Sequence, residues 1–410
     1  MIVPLWRDFF MSRFHSYIIS AEKILQSYDG RQPFSAHLKK YFSTNKKLGS
    51  TDRKLVSENC YAYLRTSYLF ADESLYQKIL NALFLCSNKT SPVLAALAPL
   101  LNEQCAIPLS NKFKLLQLNA SAIFPFAIEL SAEIDVDFFA LSMLKQPQLF
   151  IRVRPGKQAT VFSKLNEAGI DHTVVKNDCI AMQNSTALDT LLTINKDAVV
   201  QDINSQQVFN WLDEENIFAD RKEKITVWDC CAASGGKSIL LYDKLSGKVK
   251  LTVSDIRENI LVNLTKRLQQ ARVEIYNSFT ADLTKKAPDD FEDLFSIIIC
   301  DAPCTGSGTW SRTPETLAYF KKEKIDHYSS RQKKISGHAL QHLEPGGLFF
   351  YITCSVFKKE NEEVVAYLQK EYSLQLLQMQ YLKGYELKAD TLFVAVFKNP
   401  LLNIEVTGNQ

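Results

Sequence analysis

The chain has 410 residues, more than one ordinary hydrophobic core usually spans, so two or three domains are expected. It is 46% hydrophobic and 23% charged, as soluble globular proteins are, and no stretch is long and apolar enough to predict a membrane span. The net charge of +3 favours no partner by itself, and charged residues among the first 20 exclude a secretory signal, so a cytoplasmic address is expected.

Residues 1–145 are predicted to be helical, because apolar residues recur at helical spacing, as in 53–65, and no strand-like alternation is sustained. Residues 50–53 are typical of a helix start. Basic residues outnumber acidic ones by ten to five in residues 1–60 and by seven to three in 311–334. Both clusters are compatible with phosphate contacts or with a solvated basic face.

The next segment changes character and predicts a small α+β module. A strand is predicted over residues 149–154, a helix over 157–168, and short strands over 172–175 and 179–182.

Strands and helices alternate from Ile225 onward, which predicts a mostly parallel, doubly wound sheet of the Rossmann-like α/β class. Helices are predicted over residues 257–271 and 359–372, between strands. The predicted strands cover 225–230, 249–255, a segment ending near 281–282, 295–301, 347–353 and 391–397. The predicted domains are an all-α bundle over residues 1–145, a small α+β subdomain over 146–220 and an α/β domain over 221–400.

Polar residues follow the strands of the α/β domain at their carboxyl ends, where doubly wound sheets bind ligands. Gly235 and Gly236 after the first strand allow the backbone to approach a ligand at a helix N-terminus. The loop is not a P-loop, because Cys231 stands where that motif needs glycine. A single strand-end acid could be merely solvated, but four in one domain favour a binding site: Asp229, Asp255, Asp282 and Asp301.

Asp255 lies 20 residues after Gly235, where a carboxylate can accept hydrogen bonds from both hydroxyls of a ribose. The unit of strand, glycine loop, helix, strand and acid therefore predicts an adenosine-containing cofactor. This pattern alone does not separate NAD from S-adenosylmethionine.

The nine cysteines include no C-x-x-C pair, so neither a metal site nor a disulfide framework is predicted. Cys304 and Cys354 stand out because each follows a strand at the mouth of the predicted site. The remaining cysteines away from the glycine loop are interpreted as small buried apolar residues: Cys60, Cys86, Cys105, Cys179 and Cys300.

Methylation of cytosine at C5 explains two such thiols. A thiolate adds to C6, C5 then attacks the methyl sulfonium, and a base removes the C5 proton so that the thiolate can leave. This chemistry needs a cysteine with raised thiolate content, which Lys237 and a helix beginning near Lys358 are expected to provide. On chemical grounds alone, either Cys304 or Cys354 could be the nucleophile.

Residues 225–398 resemble the Nop/Sun family of RNA cytosine-5 methyltransferases. The loop Cys231 to Ser238 is close to the family's Cys-Ala-Ala-Pro-Gly-Gly-Lys-Thr. Residues 301–308, followed by 312–315, match the family's fourth motif, and 351–355, followed by 360–362, match its sixth.

The resemblance implies S-adenosylmethionine as the cofactor and assigns a role to each matched residue. Asp255 would hold the ribose hydroxyls, Asp282 would meet the adenine amino group, and Asp301 would lie near the methionine end and the target base. Cys354 would be the nucleophile, and Cys304 would assist proton removal and release. The loop that wraps the methionine and ribose would consist of Cys231, Ala232, Ala233, Ser234, Gly235, Gly236 and Lys237.

The resemblance extends upstream and identifies the expected partner. Residues 152–155 and 200–206 look like the family's small RNA-binding subdomain, and 51–65 resemble the NusB-like helical domain of the bacterial small-subunit rRNA branch. RNA, with ribosomal RNA as the expected class, is thus the implied substrate, and a monomer is expected. In departures from the family, Ser234 replaces Pro, which should soften the loop, Arg154 replaces Asn, and 388–393 is a weak version of a late motif.

Three alternatives remain open. The substrate could be tRNA, or the chain could be a catalytically silent ribosome assembly factor, although both cysteines and all four acids are retained. An amino-group methyltransferase is a poorer match, because that chemistry usually uses an Asn/Asp-Pro-Pro-aromatic loop and needs no thiol.

Overall fold

The computed structural model describes residues 5–176, 178–215, 217, 223–288 and 291–400, with side chains from residue 13 onward. Contacts divide the chain into two compact units. The first comprises Met1–Leu130, Ile134–Gln146 and Trp310–Lys321, and the second Ser131–Glu133, Pro147–Thr309 and Lys322–Gln410. The predicted domain boundaries at residues 1 and 220–221 lie outside the described residues, and the division into three domains stays a prediction.

The first unit is helical, as expected. Fully buried apolar side chains such as Ile18, Phe34 and Phe84 form its core. The helix predicted near residue 50 begins there, and the Asp52 carboxylate accepts a hydrogen bond from the Gly49 N–H at 3.0 Å. Its helices are α1 (Leu5–Gln26), α2 (Phe34–Thr44), α3 (Ser50–Arg65), α4 (Leu75–Cys86), α5 (Pro92–Leu97), α6 (Pro99–Glu103), α7 (Leu109–Leu115) and α8 (Val136–Ser142).

The second unit begins with a small antiparallel sheet in the strand order β2-β3-β1-β4. Its elements are β1 (Leu149–Val153), α9 (Gln158–Glu167), β2 (His172–Lys176), β3 (Cys179–Met182), β4 (Ala198–Val200) and the following helix α10 (Asn210–Glu215). Arg152 and Arg154 both form ion pairs, at 2.6 and 2.7 Å, with Asp243, whose side chain is 7% exposed, and so tie this sheet to the first helix of the α/β region. Arg154, which stands where the related family has asparagine, thus forms part of this contact.

The α/β region contains a seven-stranded sheet in the order β10-β11-β9-β8-β5-β6-β7. Five strands are parallel, and the two last in sequence join one edge antiparallel. Its elements are β5 (Ile225–Asp229), α11 (Gly236–Lys244), β6 (Val249–Asp255), α12 (Glu258–Gln270), β7 (Ile275–Thr280), β8 (Phe295–Asp301), α14 (Glu323–Leu340), β9 (Leu343–Thr353), α15 (Glu362–Tyr372), β10 (Gln375–Leu382) and β11 (Leu392–Lys398), while α13 (Pro314–Ala318) belongs to the helical unit.

The central strand β8 is buried on both faces, because helices cover the sheet and its residues from Phe295 to Cys300 are apolar apart from Ser296. The predicted fold class is therefore confirmed: a helical N-terminal region precedes a small α+β module and a Rossmann-like sheet. Every helix among the described residues is too short or too polar to cross a bilayer.

Candidate active site

The glycine loop between β5 and α11 adopts backbone conformations that the sequence anticipates only in part. Gly235 has φ = +77°, which favours glycine, and a Cβ there would lie 2.3 Å from Leu264 Cδ1, so the leucine side chain would have to shift. Ala233 is also left-handed, with φ = +45°. Arg267 donates hydrogen bonds to the Ser234 carbonyl and hydroxyl oxygens at 2.9 and 2.8 Å, and thus restrains the position where the related motif has proline.

Two acids at the ends of β6 and β7 line a cavity of about 280 Å³ together with the glycine loop. Asp255 accepts hydrogen bonds from the Ala233 N–H at 3.1 Å and from the Arg257 N–H and side chain at 3.0 Å. Burial alone would raise the pKa of Asp255, but these bonds lower it overall, so the group is an ionised acceptor at neutral pH. Asp282 accepts bonds from the hydroxyl and N–H of Thr284, which lower its pKa.

A second cavity, of about 270 Å³, adjoins the first, and both are lined by Cys231 and Ala233. It also contains Lys237, Asp301 and Cys354. The Lys237 ammonium lies 2.6 Å from the Asp301 carboxylate. Burial would lower the pKa of Lys237, but Asp301 and, to a smaller degree, Cys354 raise it, so Lys237 is a cation in the cavity that Cys354 lines.

Cys304 and Cys354 meet where the loops after β8 and β9 come together. Their Sγ atoms are 3.3 Å apart, and both side chains are partly buried. Contact with Cys354, reinforced by burial, raises the pKa of Cys304. Cys304 therefore keeps its proton at neutral pH.

Two residues that sequence reasoning did not single out hold these cysteine loops. The Glu360 carboxylate is completely buried and accepts hydrogen bonds from the Thr305 N–H and hydroxyl, each at 2.9 Å. Asn361 accepts a bond from the Thr353 hydroxyl at 2.6 Å and donates one to the Ser355 carbonyl at 2.8 Å. The one available signal was the Glu-Asn-Glu sequence six residues after Cys354, which had been noted only as part of a motif.

The helix predicted from Lys359 begins instead at Glu362, and this part of the prediction is wrong. A single 3-10 turn, Lys358–Glu360, precedes it, and Asn361 has a non-helical backbone with φ = −117° and ψ = −89°. The helix begins later than predicted because Glu360 and Asn361 form hydrogen bonds to the loops that carry Cys304 and Cys354.

Most residues predicted to form the site line these two cavities. Within the glycine loop only Gly235 lines neither cavity, because it is buried beside Leu264. Cys304 lines neither cavity but touches Cys354. The weak late motif contributes Asp390, which lines the cavity of Cys354, and its N–H donates to Asp202, a further residue of that cavity.

A pH dependence of stability follows from the burial of Glu360. Burial raises its pKa from the ordinary 4.5 to about 7, so between these values the folded chain keeps a proton that the unfolded chain has lost. The free energy of unfolding is therefore expected to fall as pH rises through this window. Glu360→Gln should remove the part of this fall that Glu360 causes, up to roughly 3 kcal/mol. Denaturant unfolding at pH 5 and at pH 8 should show that the variant loses less free energy of unfolding between the two pH values than wild type does.

The matched control for that experiment is Glu363→Gln, since Glu363 is exposed three residues away. Asp229, whose pKa burial also raises to about 7, will still contribute a slope of the same sign in every variant. An unchanged pH slope in Glu360→Gln would show that this carboxyl group does not titrate in that window.

Comparison with known proteins agrees with this geometry. Residues 216–397 match the family model described as 16S rRNA methyltransferase RsmB/F. Residues 216–397 therefore resemble the methyltransferase domain of this family. The chain is 30% identical over 199 residues to a protein named probable ribosomal RNA small subunit methyltransferase B from Bacillus subtilis, covering 47% of this chain and 42% of the relative. The chain thus spans less than half the length of that curated relative.

Two solved structures share the fold. PH0851 superposes with a TM-score of 0.69 over 97% of this chain and 99% of its own, at 17% identity. The structure of NSun6 from Pyrococcus horikoshii with SFG has a TM-score of 0.58 at 14% identity, covering 67% of this chain and 97% of its own. At these identities the two structures show that the fold is shared, and nothing beyond the fold.

Proposed function

We propose that the protein transfers a methyl group from S-adenosylmethionine to C5 of a cytosine in RNA, through a covalent bond between Cys354 and C6. The observation that carries the proposal is the Cys304–Cys354 pair, with Sγ atoms 3.3 Å apart, beside two adjoining cavities. One cavity offers carboxylates that can bind a nucleoside. The other offers a thiol, a cation and a carboxylate that can contact a cytosine ring. Chemistry at C5 needs all of these groups.

The residues of the first cavity fit S-adenosylmethionine. Asp255 is an ionised acceptor for the ribose hydroxyls, and Asp282 is an acceptor for the adenine amino group. When bound, this cofactor supplies an electrophilic methyl group. The shared wall of Cys231 and Ala233 would leave that group next to the base cavity.

The chain's own residues then account for the covalent steps. The Cys354 thiolate, in the same cavity as the Lys237 ammonium, bonds to C6 and pushes an electron pair toward C5. After C5 has taken up the methyl group and the cofactor has left as a neutral thioether, the C5 proton passes to solvent with the assistance of Cys304, 3.3 Å from Cys354. The electron pair of the C5–H bond re-forms the C5–C6 double bond, and the C6–S bond breaks to return the Cys354 thiolate.

Cofactor binding gives a direct prediction about Asp255. Asp255→Ala is expected to weaken S-adenosylmethionine binding by about 1.5–3 kcal/mol, because hydrogen bonds to a charged acceptor are lost. Isothermal calorimetry measures this, with Glu258→Ala as the control, since Glu258 is exposed at the start of α12. Equal affinities in wild type and Asp255→Ala would remove Asp255 from this role.

Ribosomal RNA of the small subunit is the proposed substrate, in keeping with the name of the family whose model matches residues 216–397. We also propose that the protein is a monomer and that it binds this RNA in the cytoplasm. Bisulfite sequencing of RNA from a deletion strain should show one cytosine in that rRNA losing its protection. Loss of a protected cytosine in tRNA instead would favour the tRNA alternative, and no loss in any RNA would favour a silent assembly factor.

A further inference from the structure

Three cysteines outside the catalytic pair come together under the cofactor cavity. The Sγ atoms of Cys230, Cys231 and Cys300 all lie within 4.8 Å of one another. We propose that these three thiols form a binding site for a thiophilic d10 metal ion of the Zn²⁺ class, and that the bound ion competes with the cofactor. The second half of this inference rests on the proposed function, and the first half does not.

The fold brings the three thiols together through the pairing of β5 and β8. These strands are parallel neighbours in which Asp229 lies opposite Ile299, and the Cys230 N–H donates to the Ile299 carbonyl at 3.0 Å. Cys230 and Cys231 follow β5 directly, and Cys300 lies one residue before the end of β8. The spacing of 69 residues between the last two hides the cluster from any motif search, which explains why the sequence predicted no metal site.

Distances and donor type suit a soft ion. Zinc–thiolate bonds of about 2.3 Å place sulfur atoms about 3.8–4.0 Å apart, so three sulfurs already within 4.8 Å of one another need only small movements. Three S–H protons leave to solvent as three sulfur–metal bonds form. Thiolates select such ions over Mg²⁺ and Ca²⁺, which prefer oxygen ligands.

Burial gives this cluster a closed side and an open side. Cys300 and Cys230 are 0% and 2% exposed, whereas Cys231 is partly exposed and lines both cavities. An ion would therefore enter past Cys231 and keep its fourth coordination position toward the cavity that holds Asp255 and Asp282. An ion and its fourth ligand in that place occupy space that the cofactor needs, so binding of either one weakens binding of the other.

Titration of the full-length, reduced protein with Cd²⁺ tests the site, because cadmium–thiolate bonds give an ultraviolet charge-transfer absorption. We expect one Cd²⁺ per chain, displaced by Zn²⁺, and binding weaker by at least about tenfold in Cys300→Ser and in Cys300→Ala. Cys105→Ser removes an equally buried cysteine of the helical unit and should bind like wild type. Circular dichroism of each variant checks that it is folded.

A second variant separates the two thiol clusters. The double substitution Cys304→Ala with Cys354→Ser should keep the Cd²⁺ absorption, since it leaves Cys230, Cys231 and Cys300 intact. Absence of the absorption in wild type, or its loss in the double variant together with its retention in Cys300→Ser, would overturn the metal site.

Competition is measured by calorimetry of S-adenosylmethionine with and without saturating Zn²⁺. We expect at least about a tenfold loss of cofactor affinity with Zn²⁺ in wild type and none in Cys300→Ser. Equal cofactor affinity with and without Zn²⁺ in wild type would overturn the competition. If the metal-free protein fails to bind the cofactor at all, the proposed function fails, while the Cd²⁺ titration still decides the metal site.

Discussion

Cys304→Ala is expected to accumulate a covalent complex with RNA, whereas Cys354→Ser is expected to give neither methylated product nor complex. Both variants should lose at least about 1,000-fold in turnover, because covalent catalysis fails when either step is blocked. The covalent complex is detected by denaturing gel electrophoresis after incubation with RNA and S-adenosylmethionine.

The two outcomes differ because the two thiols act at opposite ends of the reaction. Without Cys354 no bond to C6 can form, so the reaction stops before methyl transfer. Without Cys304 the attack and the methyl transfer proceed, but removal of the C5 proton slows and the enzyme stays bonded to its product. The raised pKa of Cys304 agrees with this division, since a protonated thiol is a poor nucleophile.

The control for this pair is the double variant, which should form no complex because it lacks the nucleophile. A complex from Cys354→Ser, with none from Cys304→Ala, would reverse the assignment and make Cys304 the attacking group.

Gly308→Ala is the second substitution with a large expected effect, although Gly308 touches neither cavity. Its N–H donates to the Cys354 carbonyl at 2.8 Å, and its own carbonyl accepts from the Thr391 N–H at 2.9 Å. A Cβ on Gly308 would lie 2.0 Å from the Thr391 carbonyl oxygen and 3.0 Å from that of Cys354, and backbone atoms cannot swing aside as a flexible side chain can. The loops carrying Cys354 and Thr391 would have to separate.

A displacement of about 1 Å at the nucleophile costs on the order of 100-fold in rate, so kcat of Gly308→Ala should fall by that much. Cofactor affinity should change little, because Asp255 and Asp282 lie in the other cavity. Steady-state kinetics and calorimetry measure the two effects. Gly49→Ala is the control, since its Cβ would meet nothing closer than 3.5 Å, and turnover near wild type in Gly308→Ala would contradict the tight packing of these loops.

Features that depend on local sequence were predictable. The strand ends at Asp255 and Asp301 were placed correctly, and the end of the first strand at Asp229 to within one residue, because buried apolar runs followed by polar residues mark where a parallel strand leaves the sheet. The edge strand β10 was missed. Its residues are mostly polar or half exposed, and it pairs only with β11, so no continuous apolar run marks it.

Features that depend on contacts between distant segments were not predictable. Glu360 bonds to Thr305, 55 residues away, and the three thiols of Cys230, Cys231 and Cys300 meet only through strand pairing. Likewise, Glu315 follows the motif of Cys304 in sequence, yet its carboxylate accepts from the Phe34 N–H within the helical unit. Such partners are fixed by tertiary packing, which composition and spacing do not encode.

Release of tritium from RNA labelled at C5 of its cytosines tests the central claim most directly. Each methyl transfer to C5 must expel the C5 hydrogen, so tritium should appear in water in step with methyl groups incorporated from S-adenosylmethionine, and Cys354→Ser should release none. Methyl incorporation without tritium release would place the methyl group on another atom and contradict the account.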